Sequence, residues 1–575
     1  MSDVAALVAD NLDIWTGAME RKSSAGRGSS KKISLYGIDR LRTLILDLAV
    51  RGRLVPQNSS DEPASELLAR IRLRKEQLIG EGIIKKSKSL NWAVIENEPF
   101  KAPQGWKFSS LGAVAEKLTD GSHNPPSDAG YGYPMLSSQN IFGGGIAIDA
   151  PSRWVSEEGF EKENARTNIQ PNDVLLTIVA SIGRSAVVPQ NIGPFVLQRS
   201  VAVISTQLYP DFLSLSFQSP FCSDYMWLHA KGTAQKGIYL GKLSAMPLPV
   251  PPLAEQKRIV AKVDELLALC DELERESEGA LAAHQTLVET LLATLTNSTD
   301  AADLATNWAR IEAHFDTLFT TDSSVEALKH AILDLAVRGK LVVQDSGDDP
   351  VKLPSFRQVS VSSDWDEKVF EHGKSLFSPP KSWEIAPLAQ VSSHIVDCPH
   401  TTPKWTEAGE LCVRTNQIKP RHLDLSQPNY VSHATYLGRI ARLEPAEGDI
   451  LYIREGGILG VGCRIPDGAK LCLGQRSMLI RCHSVISSYY LEVAINSPFI
   501  TKQAAHWTTG GAAPRINMST VRGYPIPIPP LAEQKRIVAK VDGLMALCEQ
   551  LKSRLADAAE TQRHLADAIT QKTAV

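Results

Sequence analysis

Polar side chains that can hydrogen-bond to the edges of DNA bases recur in short segments of two middle regions of this 575-residue chain. Arginine and lysine suit guanine, asparagine and glutamine suit adenine, and serine suits either. The candidates are Ser138, Gln139, Asn140, Arg184, Gln198, Arg199 and Lys236 in the first region, and Arg414, Asn416, Gln417, Arg454, Gln475, Arg476, Arg515 and Asn517 in the second. For any one of them a structural or solvated role is at least an equal interpretation. The triplet Gln-Arg-Ser occurs in both regions, so it suits the fold or a phosphate better than a base.

Motifs that would carry catalysis are incomplete in this chain. The tetrapeptide 124–127 resembles the Asn-Pro-Pro-aromatic motif of amino-methyltransferases, but Ser127 replaces the aromatic residue that would stack on a flipped base. The glycine-rich stretch 456–462 lacks the spacing of a phosphate-binding loop. Asp449 and Glu455 lack the following lysine of a nuclease site. We therefore expect no catalytic residue here.

The cysteines give no sign of a metal centre. None of the eight is two residues from another, which argues against a zinc ribbon and against a redox CxxC motif. We expect reduced, mostly packed thiols, no metal site and no cofactor bound by this chain itself.

An internal repeat organises the chain. Residues 251–264 recur without change at 529–542, and residues 45–52 recur at 332–339. The regions between these blocks match more weakly but in register; residues 120–123, Asp-Gly-Ser-His, are mirrored by residues 397–400, Asp-Cys-Pro-His. A near-identical scaffold with divergent middle regions is expected when one frame carries two different recognition surfaces.

Heptad patterning follows each proline-rich segment. Apolar residues fall at Ile259, Val263, Leu266, Cys270 and Leu273, and the same spacing runs from Ile537 to Leu555. The seam is predicted to continue, less purely, through Ala280, His284, Leu287 and Leu291. A helix of about 40 residues spans roughly 60 Å and cannot bury such a seam alone. We expect the two long helices to pair with each other, antiparallel; the alternative is that each pairs with another protein.

Each middle region combines short β-type runs with helical stretches, and we call these regions the first and second heads. The expected fold class is α+β: two globular α/β heads joined by two long antiparallel coiled-coil helices, in a pseudo-twofold internal repeat. The predicted boundaries are 1–105 for an N-terminal extension and helical region, 106–250 for the first head, 251–343 for the central long helix and second helical block, 344–382 for a linker, 383–528 for the second head, and 529–575 for the C-terminal long helix. Residues 1–35 form a polar extension to which we assign no role.

Composition fits an ordinary globular protein, with 43% apolar and 22% charged residues. No apolar run reaches the roughly 18 residues of a membrane helix, and the N-terminus lacks a secretory signal, so we expect a cytoplasmic protein without a membrane partner. The formal net charge of −3 is low for a dedicated nucleic-acid binder. Local positive potential, or partner subunits, would have to supply the attraction.

The layout and the repeated segments PPLAEQKRIVAKVD and ILDLAVRG closely resemble the specificity subunits of type I restriction-modification systems. The resemblance covers nearly the whole chain. It implies that the heads are target-recognition domains, each reading one half of a bipartite, asymmetric site in double-stranded DNA, and that the helices set the separation of the half-sites. It further implies that two methyltransferase subunits dock on the helical regions and methylate adenine from S-adenosylmethionine. Two restriction subunits would add ATP-driven translocation and cleavage, with ATP and Mg²⁺ bound by those partners.

Two other classes of protein fit part of the sequence. A scaffold whose heads bind protein or RNA would explain the coiled coil and the weak charge, but not the divergence of two related heads on one frame. An enzyme in its own right would rest on the tetrapeptide at 124–127, and it lacks the cofactor loop. The sequence does not give the bases recognised, because base readout depends on loop geometry and DNA deformation.

Overall fold

The computed structural model describes residues 4–22, 32–82, 95, 98–233, 235–355, 366–376, 378–511 and 514–574. These residues form two compact units. Unit 1 contains the described residues up to 279 and those from 559 onward, and unit 2 contains those from 280 to 558.

A helical layer precedes the first head in unit 1. It consists of α1 (Val4–Asp10), α2 (Leu12–Gly17), the paired strands β1 (Glu20–Lys22) and β2 (Lys32–Ser34), α3 (Tyr36–Val50) and α4 (Ala64–Gly80). Trp15 of α2 is fully buried, and the amide of Gly37 donates to the carbonyl of Ala18 at 2.9 Å. A Cβ at position 37 would lie 2.4 Å from the Trp15 carbonyl oxygen, so only glycine allows α2 to approach α3 this closely. The N-terminal extension, left without a role by the sequence, thus covers the start of α3.

The first head is an α/β domain whose two ends are tied together. Its elements are β3 (Lys107–Ser110), α5 (Leu111–Val114), β4 (Ala115–Asp120), β5 (Tyr133–Leu136), β6 (Ile141–Phe142), β7 (Gly145–Ile146), β8 (Arg153–Val155), α6 (Glu157–Thr167), β9 (Val174–Thr177), β10 (Ser185–Val187), β11 (Val196–Leu197), β12 (Val201–Thr206), α7 (Pro210–Gln218), α8 (Pro220–His229), α9 (Leu240–Ser244) and β13 (Pro247–Val250). The antiparallel order β10-β9-β12-β4 forms the main sheet, and β3 pairs with β13. Along β9, Val174 and Leu176 enter one core and Leu175 enters another, as the two-residue period of a strand requires.

The second copy repeats this order with differences in length. The first copy ends with the long helix α10 (Leu253–Thr296). The elements of the second copy are α11 (Ala301–Ala313), α12 (Phe315–Leu318), α13 (Asp322–Val337), α14 (Glu367–Lys374), β14 (Glu384–Pro387), α15 (Leu388–Val391), β15 (Ser392–Asp397), β16 (Trp405–Thr406), β17 (Glu410–Val413), β18 (Ile418–Lys419), β19 (His422–Leu423), β20 (Tyr430–Val431), α16 (His433–Ile440), β21 (Ile450–Ile453), β22 (Gly462–Arg464), β23 (Leu471–Leu473), β24 (Ser477–Cys482), α17 (Ser488–Ile495), α18 (Pro498–His506), α19 (Met518–Arg522), β25 (Pro525–Ile528) and the second long helix α20 (Leu531–Ala574). The main sheet has the order β22-β21-β24-β15, which matches that of the first head, and β14 pairs with β25. The expected α+β class, with two α/β heads and two long helices, is confirmed.

In the first turn of each long helix, a repeated glutamine joins the helix to a head. Gln256 accepts from the amide of Tyr209 at 2.8 Å and donates to the Pro251 carbonyl at 2.9 Å. Gln534 does the same with the amide of Ser487 and the carbonyl of Pro529. Both glutamines are fully buried. The exact repetition of this segment is thus explained by a buried hydrogen-bonded junction as well as by a helical seam.

Each unit contains the beginning of one long helix and the end of the other. Unit 1 contains the first part of α10 and the last part of α20, and unit 2 contains the reverse. In unit 2, Val288 and Leu292 near the end of α10 share a core with Ile537 and Val541 near the start of α20. This grouping is the one expected of antiparallel helices.

A short helix takes part in each of these packings. In unit 1, Arg42 of α3 forms ion pairs with Asp271 and Glu274 of α10, and Tyr36 donates to Asp567 of α20 at 2.8 Å. In unit 2, α13 contributes to the core that contains both long helices. The seam is therefore buried among three helices, where the heptad pattern alone predicted two.

The predicted continuation of the first seam is wrong at Ala280 and Leu287, whereas His284 is half-buried and Leu291 packs against the core of unit 2. Leu287 is 51% exposed and Ala280 is exposed, whereas Val288, Leu292 and Leu295 are buried. A straight α-helix repeats every 3.6 residues, so the residue 18 positions after Cys270 returns to the same face after about five turns. Extrapolating a 3.5-residue repeat placed the seam one residue too early.

The segment 344–382, predicted as a linker, is in part a structural element. Asp348 pairs with Arg536 at the start of α20, and the same pairing joins Asp61 to Arg258 in the first copy. Within α14, Val369 is fully buried, and the Cα of Gly373 lies against Pro525 of β25 so closely that a Cβ would collide with it. A polar, proline-rich composition did not reveal this docked helix.

Candidate functional site

Loops that carry the candidate residues of the first head meet at one end of the strands of its main sheet. We call residues 121–124, 137–140, 178–184, 198–200, 231–233 and 235–239 the first rim. The amide of Ile178 donates to the Ser200 carbonyl, and the amide of Ala180 donates to the Lys236 carbonyl, both at 2.9 Å. The Ser200 hydroxyl accepts from the amide of Ser138 at 3.0 Å. Segments far apart in sequence are thus held together by main-chain hydrogen bonds.

Equivalent loops of the second head meet in the same way. We call residues 398–402, 414–417, 454–461, 475–477, 507–511 and 514–517 the second rim. The amide of Ile516 donates to the Arg454 carbonyl at 2.8 Å, the amide of Arg454 to the Arg476 carbonyl at 3.2 Å, and the amide of Cys398 to the Ser477 carbonyl at 3.2 Å. The candidate segments of this head therefore also converge on one surface.

Most of the candidate side chains are exposed on the two rims. Exposed members are Gln139, Arg184, Arg199 and Lys236 on the first rim and Arg414, Asn416, Arg476, Arg515 and Asn517 on the second. Gln198 and Gln475 are half-buried and each donates inside its own head, to Ser152 Oγ at 2.9 Å and to the His400 carbonyl at 2.8 Å. The guanidinium of Arg414 lies 5.3 Å from the centre of the Trp405 ring, a cation–π geometry that limits its motion.

Four candidates lie inside the protein, and we withdraw them as base contacts. Ser138 and Asn140 are buried, and the Asn140 amide donates to the carbonyls of Ala147 and Ala150 at 3.1 and 2.7 Å. Gln417, in the equivalent turn, is buried and accepts from the amide of Arg414 at 2.8 Å. Buried amides need partners for all their polar atoms, and here the turn supplies them.

Arg454 is the fourth withdrawn candidate. Its side chain is buried and forms two hydrogen bonds with Asp397, at 3.0 Å from Nε and 2.6 Å from Nη2. Its Nη1 donates to the Ile516 carbonyl at 3.2 Å. Burial opposes the charge, but the hydrogen bonds with Asp397 and the negative charges of Asp397 and Glu455 together outweigh it and raise the pKa of Arg454. Arg454 therefore stabilises the second rim from below as a permanent cation.

Two histidines outside the predicted base-contacting residues lie at equivalent positions of the two heads. His123 lies within hydrogen-bond distance of Asp120, and His400 lies near Asp397 in the same way. Both histidines are exposed on the rims. The mirrored Asp-x-x-His spacing is the signal in the sequence that could have identified them.

Neither a membrane span nor a clustered metal-ligand set is found in the described part of the chain. No helix there is both long and apolar enough to cross a membrane. Within the same ranges, no three His, Cys, Asp or Glu side chains come together as a metal site.

Comparison with known proteins places the chain in a family. Residues 103–282 and 424–561 match the model of the type I restriction modification DNA specificity domain. The sequence is 35% identical to the type I restriction enzyme EcoEI specificity subunit of Escherichia coli and 32% identical to the EcoAI specificity subunit, in each case over 98% of both chains. A solved chain from work on complex assembly and conformational transition of the type I R-M system aligns at 19% identity over 83% of this chain and 99% of its own, with a TM-score of 0.47.

The chain belongs to the specificity subunits of type I restriction-modification enzymes. The resemblance drawn from its repeated segments is thereby confirmed. A specificity subunit is a non-catalytic component of its complex, which agrees with the incomplete catalytic motifs.

Proposed function

We propose that each head reads one half of a bipartite, asymmetric site in double-stranded DNA through its rim. The observation that carries this proposal is the pairing of one main-chain framework with two sets of exposed side chains. Equivalent turns present Gln139 on one rim and Asn416 on the other, and equivalent loops present Lys236 and Arg515. A shared framework would place both heads on DNA alike, while the different side chains would select different bases.

The proposal extends to the partners of the subunit. Two methyltransferase subunits would dock on the helical regions and methylate adenine, with S-adenosylmethionine bound by those partners. The identical repeated segments support a pair of like partners, because each copy offers the same surface once. Two restriction subunits would join for ATP- and Mg²⁺-dependent translocation and cleavage. The long helices would set the separation of the half-sites, as subunit spacing does in other DNA readers.

A head exchange tests the proposal. Residues 107–250 begin and end in the paired strands β3 and β13, so replacing this segment with that of a relative leaves the junction to the helices intact. We expect methylome sequencing of cells that carry the complete system to show one altered half-site and one unaltered half-site. Exchange of residues 384–528, bounded by β14 and β25, is the matched control and should alter the other half. A change of both halves by either exchange would refute separate reading by the two heads.

A further inference from the structure

The two rims share a cluster of one buried carboxylate and one exposed histidine. The distance from His123 Nε2 to Asp120 Oδ2 is 2.8 Å, and that from His400 Nε2 to Asp397 Oδ2 is 3.3 Å. The aspartate side chains are only 10% and 12% exposed, whereas the histidines are 52% and 64% exposed. Each aspartate therefore holds an imidazole ring that faces solvent.

Arginines fix both aspartates from other elements. Arg166 of α6 pairs with the Asp120 carboxylate and donates to its main-chain carbonyl at 3.0 Å. Arg454 pairs with Asp397, and Arg442 donates to the Asp397 carbonyl at 3.2 Å. These cations compensate the buried carboxylates, so each histidine adds a donor to a surface whose negative charge is already neutralised.

The histidines lie beside the Gln-Arg-Ser triplets. The amide of Arg199 donates to the carbonyl of Ser122, the neighbour of His123, at 2.9 Å. Gln475 donates to the carbonyl of His400 itself at 2.8 Å. The exposed guanidinium groups of Arg199 and Arg476 therefore project from loops adjacent to those of the histidines.

We propose that His123 and His400 each donate a hydrogen bond to a DNA backbone phosphate, with Asp120 and Asp397 as positioning residues. The inference rests on the proposed reading of DNA by the rims. Because the cluster is common to two heads that differ in their other exposed side chains, its ligand must be common to all DNA sequences, and the phosphate is such a group. The aspartate occupies Nε2, which leaves Nδ1 of the protonated ring as the donor to the phosphate.

The test compares variants of the full chain assembled with its methyltransferase subunits. For His123→Ala and for His400→Ala, we expect affinity to fall by the same factor on the cognate site and on a site with one altered half. The slope of log affinity against log salt should become shallower by about 0.9 for each phosphate contact removed. His123→Arg and His400→Arg keep a cationic donor and should restore the slope. His433→Ala is the matched control, because His433 is equally exposed, pairs with Glu410 at 3.0 Å and lies outside the residues of the second rim.

The positioning role has its own readout. Asp120→Asn and Asp397→Asn should make the gain in affinity on acidification smaller, because the carboxylate that holds the protonated ring is lost. The charged groups around His123 are Asp120, Arg166 and Arg199. Those around His400 are Asp397, Arg439, Arg442, Arg454, Glu455 and Arg476; Arg439 donates to the carbonyls of Pro399 and Thr401 on either side of this histidine. None of the arginines loses its charge in the range in which histidine titrates.

The outcomes separate this inference from the proposed function. An unchanged salt slope in both alanine variants, in a complex that still binds its bipartite site, would overturn the phosphate contact alone. Relaxed selectivity at a single base pair would assign the histidines to base reading and would also overturn it. A wild-type complex without preference for any bipartite site would refute the proposed function itself.

Discussion

Arg454 binds Asp397 through two parallel hydrogen bonds, from Nε to Oδ1 at 3.0 Å and from Nη2 to Oδ2 at 2.6 Å. The pair joins the end of β21 to the end of β15 and lies beneath the second rim. A buried pair of this kind fixes geometry, and removal of one partner leaves the other charge uncompensated. The rim of the second head thus depends on an ion pair that does not itself face the solvent.

Arg454→Met should destabilise the second head. Because the largely buried carboxylate of Asp397 would lose both of its hydrogen bonds with Arg454, we expect a loss of about 3 kcal/mol in the free energy of unfolding. Hydrogen exchange at the amides of β15 and β21 measures the effect locally, which suits a chain of two units. Arg476→Met, at an exposed neighbour, is the control and should change stability by less than about 0.5 kcal/mol while weakening DNA binding. The reverse pattern would restore Arg454 as a base-reading residue.

In the equivalent turns of the two heads, adjacent residues have different roles: one stabilises the turn, and its neighbour is exposed for contact with DNA. Gln417 accepts from the amide of Arg414 at 2.8 Å and donates to the Gln427 carbonyl at 3.1 Å, whereas Asn416 is exposed. We expect Gln417→Ala to cost about 1–3 kcal/mol, because it removes two part-buried hydrogen bonds to the main chain of Arg414 and Gln427. Asn416→Ala should leave stability unchanged and alter the methylated sequence in one half-site only. Hydrogen exchange and methylome sequencing provide the two measurements, and altered specificity with Gln417→Ala alone would contradict the assignment.

The repeated segments allowed the sequence to predict the scaffold. Identical blocks at 251–264 and 529–542 required identical local structures, and both begin a 44-residue helix. The heads were harder to predict, because the fate of a polar residue depends on strand pairing over long distances. The parallel pairing of β5 with β11 places Asn140 beneath the first rim, and no local pattern distinguishes it from the exposed Gln139. The mirrored aspartate and histidine were visible in the sequence, but their role depends on burial of one and exposure of the other.

Glu533 should give unit 2 a pH-dependent stability. Its carboxylate is fully buried and accepts from Trp383 Nε1 at 3.0 Å and from Gln344 Nε2 at 3.2 Å. Burial raises the pKa of Glu533 above the ordinary value of 4.5 despite these donors. The folded state therefore binds the proton more tightly than the unfolded state does, so this contribution to stability is complete below pH 4.5 and is lost as the pH rises through the folded pKa.

The variant Glu533→Gln isolates this contribution. The Tm of the wild type, relative to that of Glu533→Gln, should fall as the pH rises above about 4.5 and then become constant. Glu255→Gln is the matched variant in unit 1, where burial also raises the pKa of the glutamate, and it should follow the same course. A difference in Tm that moves in favour of the wild type over this range would show that the carboxylates are stabilised in their charged form.

The long helices offer a test of the proposed ruler. Residues 276–282 of α10 and 554–560 of α20 lie between buried positions 18 residues apart, Cys270 and Val288 in the first helix and Cys548 and Ala566 in the second. After deletion of seven residues from each helix, the two buried positions are 11 residues apart, which keeps them within about 20° of the same face. Packing against the short helices should therefore survive. We expect unchanged half-sites separated by a spacer about 3 base pairs shorter, because seven helical residues span roughly 10 Å and a base pair about 3.4 Å.

A five-residue deletion from the same points is the matched control for this ruler. Removing 276–280 and 554–558 leaves 13 residues between the buried positions, which turns them by about 220° relative to each other. Cys270 and Val288 would then face opposite directions, and we expect the chain to misfold and methylation to be lost. Methylome sequencing reads the spacer of the seven-residue variant directly, and circular dichroism checks its fold. A folded seven-residue variant that methylates the original spacer would show that the separation of the half-sites is set by something other than helix length.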